Sequence, residues 1–152
     1  MINHIRCFGG NDMYGAILGD MIGSPYEFNN YKAKVFPLFT KQSTFTDDTL
    51  MSLAVAKAFL DAGPDAEDTV ILNALVQSMV EIASHYPNCG YGGMFQQWLE
   101  SEEHKPYDSF GNGSAMRVSS VAWLYRDMER VRHGAYLSAV VTHNHPEGIK
   151  PR

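Results

Sequence analysis

The chain has 152 residues, a formal net charge of -5, and 45% hydrophobic against 19% charged residues, the composition of a folded globular protein and not of a disordered one. One domain is expected at this length, burying roughly 68–70% of the surface the unfolded chain exposes. The acidic balance leaves no dense basic face, which argues against a general affinity for nucleic acid or an anionic membrane. Two cysteines, Cys7 and Cys89, stand far apart and outside any CxxC pair, so both read as free thiols and not as a disulfide frame or zinc cluster. No apolar run approaches the about 20 residues that span a bilayer, and Asp12 and Asp20 interrupt the one stretch that imitates a signal peptide. A cytoplasmic location is the expectation.

In chain order, the first motif is GAILGDMIGSPYE, from Gly15 to Glu27. Its small residues Gly15, Gly19 and Gly23 fall four apart, so on a helix they form a smooth edge where another helix or a ligand can approach closely. Asp20 and Glu27 place two carboxylates near that edge, and plain helix packing followed by a turn at Pro25 is the ordinary alternative. From Thr49 to Leu60 the sequence is apolar on almost every side, which describes a helix buried within a larger α assembly. A second helix is expected from about Ala66 to Ser84, with Val70, Ile71, Ala74, Leu75, Met79 and Ile82 on one stripe. Pro87 and the glycines 90, 92 and 93 close it. A short amphipathic piece from Phe95 to Glu100 precedes the loop SEEHKPYDSFGNG. Another helix opens near Ser114, with Met116, Val118, Val121, Ala122 and Leu124 facing the core, and a last one from Met128 to Val141 is expected to break near Gly134. No alternating strand pattern competes, and no repeat or heptad series is present.

Three further polar motifs carry chemistry. Thr46-Asp47-Asp48-Thr49 precedes the most apolar helix, where Thr and Asp serve as caps and as anions facing the helix dipole. Two adjacent acids exceed what capping needs, and carboxylates sharing a buried site are tolerated best around a hard divalent cation. An all-oxygen set suits Mg²⁺ or Mn²⁺ better than Zn²⁺. Gly111-Asn112-Gly113-Ser114-Ala115-Met116-Arg117 is a glycine-rich turn feeding a helix, where free amides form an anion site and Ser114 and Arg117 can add hydrogen bonds to phosphate. It is not a P-loop, since no GK[ST] follows, and a bare N-cap is the alternative. In Thr142-His143-Asn144-His145-Pro146-Glu147-Gly148 the two histidines either bind metal with ligands from elsewhere or hydrogen-bond a substrate or a loop.

Taken together and in this order, GAILGDMIGSPYE, TDDT, GNGSAMR and THNHPEG resemble the ADP-ribosylglycohydrolase family, the relatives of dinitrogenase-reductase-activating glycohydrolase. The resemblance implies an all-α chain corresponding to the N-terminal portion of the family's compact multi-helix fold, with residues 1–12 as an N-terminal extension and 13–152 as a partial domain cut short at its C-terminus. It implies a metal-dependent hydrolase that cleaves the glycosidic bond between ADP-ribose and an acceptor: a protein side chain, a nucleobase or a small molecule. Thr46, Asp47 and Asp48 match the family's N-terminal ligands to Mg²⁺ or Mn²⁺, a binuclear site in the complete family. Glu27 matches an acid that positions or deprotonates the attacking water, and with Asp47 and Asp48 makes up the catalytic set. Gly111, Asn112, Gly113, Ser114 and Met116 correspond to the loop on the diphosphate and distal ribose, His143 to a cleft-lining histidine, and Asp20 to support behind the site. The expected partner is an ADP-ribosylated protein or small ADP-ribose conjugate.

One departure is that no Asp-x-Asp-Thr motif, which completes the family's metal site, follows Thr142. Catalysis by this chain alone is therefore expected to be weak or absent unless another chain supplies the ligands. The rival reading is a non-catalytic module that binds ADP-ribose or serves structurally. A helical metal phosphohydrolase of the HD type is excluded because no His-Asp dipeptide occurs. An incomplete helical half would also leave apolar surface exposed and favour self-association.

Overall fold

The computed structural model describes residues 13–29 and 31–150. The expected extension 1–12, with Cys7, lies outside the described residues. Among the described residues there is no strand, and the all-α class is as expected.

Helix α1 covers Tyr14–Gly23 and runs on into a short 3₁₀ turn, Ser24–Tyr26. Helix α2 spans Asp47–Ala62 and α3 spans Asp68–His85. The extended backbone of Thr46 lets its hydroxyl accept from the Asp48 amide at 3.3 Å, satisfying one of the orphan donors at the helix start. Asp47 and Asp48 occupy the first turn, where the helix dipole favours negative charge. Gly63 ends α2, and the short connection 63–67 returns the chain as α3, an αα-hairpin.

Nine residues of α2, from Thr49 to Phe59, are buried, and Ala54, Val55, Ala58 and Phe59 expose nothing. That is the environment expected of a helix apolar on nearly every side. Helix α3 presents Ile71, Leu75, Met79 and Ala83 to it, four residues apart, the spacing that stacks side chains on one helical face. Burying one such side chain fully contributes about 1.5–3 kcal/mol. Val70, expected on the same stripe, is 48% exposed, because it lies one position off that four-residue row.

The later part of the chain packs against both helices of this hairpin. Helix α4 covers Gly93–Glu100, α5 Gly113–Met116, α6 Ser119–Leu124, α7 Met128–Val140 and α8 Pro146–Ile149. The single helix expected from Ser114 is two, separated at Arg117–Val118; Val121 and Leu124 are core residues while Ala122 is exposed. Helix α7 does not break at Gly134. A Cβ there would stand 2.8 Å from Val121 Cγ1, 3.0 Å from Tyr125 Cε2 and 3.4 Å from Phe59 Cζ, so the glycine is a close-approach point that lets α7 reach α6 and α2.

Helix α1 behaves differently. It buries no residue, and a Cβ at Gly15, Gly19 or Gly23 would meet nothing within 4 Å. The small-residue edge is thus open, with neither a helix nor any other group of the described residues against it.

Candidate functional site

The site begins where α1 meets the start of α2. Asp20, on α1, receives four hydrogen bonds from the capping turn. Its Oδ2 accepts from the Thr46 amide at 2.7 Å, the Thr49 amide at 3.2 Å and the Thr49 hydroxyl at 2.5 Å, and its Oδ1 accepts from the Thr46 hydroxyl at 2.7 Å. From the other side the Asp47 amide donates to the Cys89 carbonyl at 2.8 Å. The TDDT turn is therefore clamped between two segments remote in sequence.

That clamp concentrates negative charge. Burial pushes the Asp47 carboxyl up to about 7, reinforced by Asp48 beside it and by Glu27 and Asp20, against its own backbone hydrogen bond. Burial, Asp20 and Glu27 raise Asp48 as well. Carboxylates that hinder one another's ionisation in this way are stabilised by a cation placed among them. The Asp47 and Asp48 carboxylates are donors of the kind a hard divalent ion takes, whereas the Thr46 hydroxyl donates to Asp20 and accepts from the Asp48 amide. Among the described residues no group of three or more His, Cys, Asp and Glu side chains is arranged to hold a metal ion.

The second half of the site is the GNGSAMR loop and the segment that holds it. Residues 107–114 are stapled to 142–148 by four hydrogen bonds. The Tyr107 amide donates to Thr142 O at 3.2 Å, the Asp108 amide to Asn144 Oδ1, His143 Nε2 to Gly111 O at 3.3 Å, and the Ser114 hydroxyl to Gly148 O at 2.7 Å. Gly148 has to be glycine for this to happen, since a Cβ would lie 2.2 Å from Ser109 O. Pro146 in the first turn of α8, and His145 Nδ1 accepting the Glu147 amide at 3.1 Å, set the entry to that helix. THNHPEG thus folds as the scaffold of the GNGSAMR loop.

The expected ligand contacts are placed as follows. The Ala115 and Met116 amides both bond to Asn112 O at 2.9 Å, leaving the Gly113 and Ser114 amides ahead of the first internal bond of α5. The one hydroxyl proton of Ser114 is committed to Gly148. Met116 packs its side chain against the hydrophobic core. His143 is 2% exposed. Its Nε2 stands 3.3 Å from Gly111 O and its Nδ1 2.7 Å from the Thr142 hydroxyl; because a carbonyl only accepts, the Gly111 contact is a hydrogen bond when Nε2 carries the proton. Burial and then the Arg117 guanidinium hold it down to about 4, against the raising effect of the Gly111 hydrogen bond, so the ring is neutral at neutral pH. Arg117 corrects the expectation of a phosphate donor. Its Nη2 turns inward, to Ser138 O at 2.8 Å and Thr142 Oγ1 at 2.7 Å.

These pieces surround a cavity of about 280 Å³ whose walls include Asp47, Gly111, Asn112, Gly113, Met116 and His143. Glu27 lies elsewhere. It is exposed and lines a separate cavity of about 480 Å³ with Thr46, Phe45 and Cys89, so the TDDT turn divides the two. Ser114 faces a third cavity, of about 550 Å³, on the far side of the loop. Residue spacing gave Thr49, Thr142 and Gly148 no role, although all three stand inside motifs that were singled out. Their partners are 29, 25 and 34 positions away, beyond any local pattern.

No helix among the described residues is long and apolar enough to cross a membrane. The chain matches the family model described as ADP-ribosylglycohydrolase over residues 12–151. It is 28% identical over 158 aligned positions to the ADP-ribosylhydrolase ARH3 of Mus musculus and to that of Homo sapiens, covering 85% of this chain and 42% of each relative. To the ARH3 of Gallus gallus it is 30% identical over 114 positions, covering 66% of this chain and 30% of the relative. The chain thus spans less than half the length of the curated relatives it matches. With that match running through all four motifs, the chain belongs to the ADP-ribosylglycohydrolase family.

Proposed function

We propose that the chain carries the nucleotide-binding side of an ADP-ribose hydrolase, acting on an ADP-ribosylated protein side chain or a small ADP-ribose conjugate. The observation that carries this reading is the single cavity in which Asp47, at the start of α2, faces Gly111, Asn112 and Gly113. The family and the relatives' name, ADP-ribosylhydrolase, support the substrate class.

In this reading the free amides at the start of α5 take the diphosphate oxygens, as exposed backbone donors do for anions. Thr46, Asp47 and Asp48 would hold Mg²⁺ or Mn²⁺, with Asp47 the one of the three that lines the cavity. A bound divalent ion supplies Lewis-acid orientation of the ribose hydroxyls and of a water, and neutralises the crowded carboxylates. Glu27 lines the neighbouring cavity, so in this reading the attacking water sits at the TDDT turn between the two cavities, where Glu27 takes its proton. The water oxygen bonds to the anomeric carbon as the bond from that carbon to the acceptor breaks, and the proton that Glu27 took from the water passes to the leaving acceptor, so that water and conjugate become ADP-ribose and protonated acceptor. Asp20 does none of this chemistry but fixes the turn that does.

Thermal unfolding of the full chain with ADP-ribose, with and without Mg²⁺, tests the reading, because a ligand bound only to the native state raises the midpoint. ADP-ribose is expected to raise it, Mg²⁺ to raise it further, and Asp47→Asn to abolish the Mg²⁺ increment alone. Indifference to both would overturn the proposal. A ligand-raised midpoint without release of ADP-ribose from modified peptides would assign binding in place of cleavage. Peptides modified on serine or on arginine, compared side by side, distinguish the acceptors.

A further inference from the structure

The least economical feature of the fold is Arg117. It exposes 2% of its surface, no carboxylate of the described residues lies within salt-bridge distance of it, and its Nε has no hydrogen-bond partner. A methionine or leucine would fill similar space without the desolvation penalty of a cation. Packing alone therefore does not account for it, and its two hydrogen bonds are informative.

One of them ends on a hydroxyl that faces a choice. Thr142 Oγ1 can send its proton to Ala139 O, at 3.5 Å, or to His143 Nδ1, at 2.7 Å. The Arg117 Nη2 donor occupies a lone pair of that oxygen from one side, which leaves the proton to be aimed at the imidazole. Once Nδ1 is an acceptor, a neutral ring must carry its proton on Nε2, the nitrogen beside Gly111 O.

We propose that Arg117 is a positioning residue of the ligand loop: through the Thr142 hydroxyl it fixes the Nε2–H tautomer of His143, which holds the Gly111 carbonyl and so the course of residues 111–113 along the cavity wall. The relay runs from Arg117 Nη2–H to Thr142 Oγ1, from the Thr142 hydroxyl to His143 Nδ1, and from His143 Nε2–H to Gly111 O. In the opposite tautomer Nδ1–H and the Thr142 hydroxyl would each face a poorer partner, and Gly111 O would lose its donor. The ligand part of this inference rests on the proposed ADP-ribose reading, whereas the relay itself does not.

The test uses the full chain labelled with ¹⁵N-histidine. Long-range proton–nitrogen spectra at neutral pH report the His143 tautomer, and amide exchange reports the order of residues 112–116. The unmodified chain is expected to show Nε2–H. Thr142→Val, which keeps the shape and removes the hydroxyl, is expected to mix the tautomers and to speed exchange across 112–116 by about tenfold, the size expected of one lost buried hydrogen bond. Thr142→Ser is expected to restore both, and Arg117→Met to follow Thr142→Val; should Arg117→Met fail to fold, the two threonine variants decide. An Nδ1–H tautomer in the unmodified chain would overturn the inference, as would a Thr142→Val chain that melts earlier yet keeps the original tautomer and exchange. Titration with ADP-ribose is read separately. An about tenfold weaker Kd in Thr142→Val extends the relay to the ligand. A relay that responds as expected in a chain that binds no ADP-ribose would sink the functional reading and leave the relay standing.

Discussion

The α2–α3 hairpin and the segment of residues 13–45 are both rich in apolar side chains, but they place them differently. In the hairpin, Val55, Phe59, Leu75 and Met79 expose nothing, whereas in the segment Phe28 is 88%, Val35 87%, Leu38 56% and Phe39 54% exposed. Hydrophobicity holds the first region to its neighbours, and a half-buried set of hydrogen bonds around one carboxylate, Asp20, joins α1 to the second helix. The lesson is that the site is assembled from parts of unequal robustness: the scaffold of Asp47 and Asp48 is packed, while the element carrying Asp20 and leading to Glu27 is latched by polar contacts.

That contrast can be broken from the hairpin side with the largest effect. Phe59→Ala removes a side chain in contact with the Tyr125 ring, whose centroid is 6.2 Å away, and is expected to cost about 3–5 kcal/mol in urea unfolding. Next comes the latch. Asp20→Ala deletes the acceptor of four hydrogen bonds and is expected to cost roughly 1.5–3 kcal/mol, on the scale of hydrogen bonds to charged groups. Its signature is local: limited proteolysis should cut within 13–45 while the amides of α2 and α3 keep their exchange protection. Equal loss of protection in both regions would show that the two are one cooperative unit.

A smaller effect sharpens the comparison electrostatically. The Asp47 carboxyl titrates near 7 in the folded chain against an ordinary 3.8, so the folded state holds its proton longer than the unfolded one. Stability of the unmodified chain relative to Asp47→Asn should therefore be level below about pH 4 and fall as pH rises through 7. Saturating Mg²⁺ should flatten that fall. A difference that grows in the opposite direction would place Asp47 in a site already compensated by positive charge. Smallest of all, Phe28→Ala should change stability by less than about 0.5 kcal/mol, since an exposed side chain leaves no cavity.

The hairpin was legible in the sequence because its signals are local. Thr46 before two acids announces a helix start, all-round apolarity from Thr49 to Leu60 announces burial, and Ile71, Leu75 and Met79 repeat at the helical period. Gly134 was misread as a break because glycine weakens a helix in isolation; only the Val121 and Tyr125 side chains against it reveal a packing reason. Arg117 misled for a related cause. An arginine in a glycine-rich loop is a plausible phosphate donor until its partners, Ser138 O and the Thr142 hydroxyl, are seen 21 and 25 positions away. Asp20 was placed near the site through the family motif, yet its latch spans 26 and 29 positions and has no counterpart in residue spacing. Site residues here are tied by long-range polar contacts, which leave no periodic trace.

The stapling of residues 107–114 to 142–148 also orders events in time. Its contacts join positions 32 to 36 apart, across α6 and α7, so their loop-closure entropy is unfavourable until those two helices have docked on the hairpin. The glycine-rich loop is consequently expected to acquire its shape late in folding. Slowing the docking of α7, as a side chain at Gly134 would, should delay the appearance of the loop more than the collapse of the hairpin core.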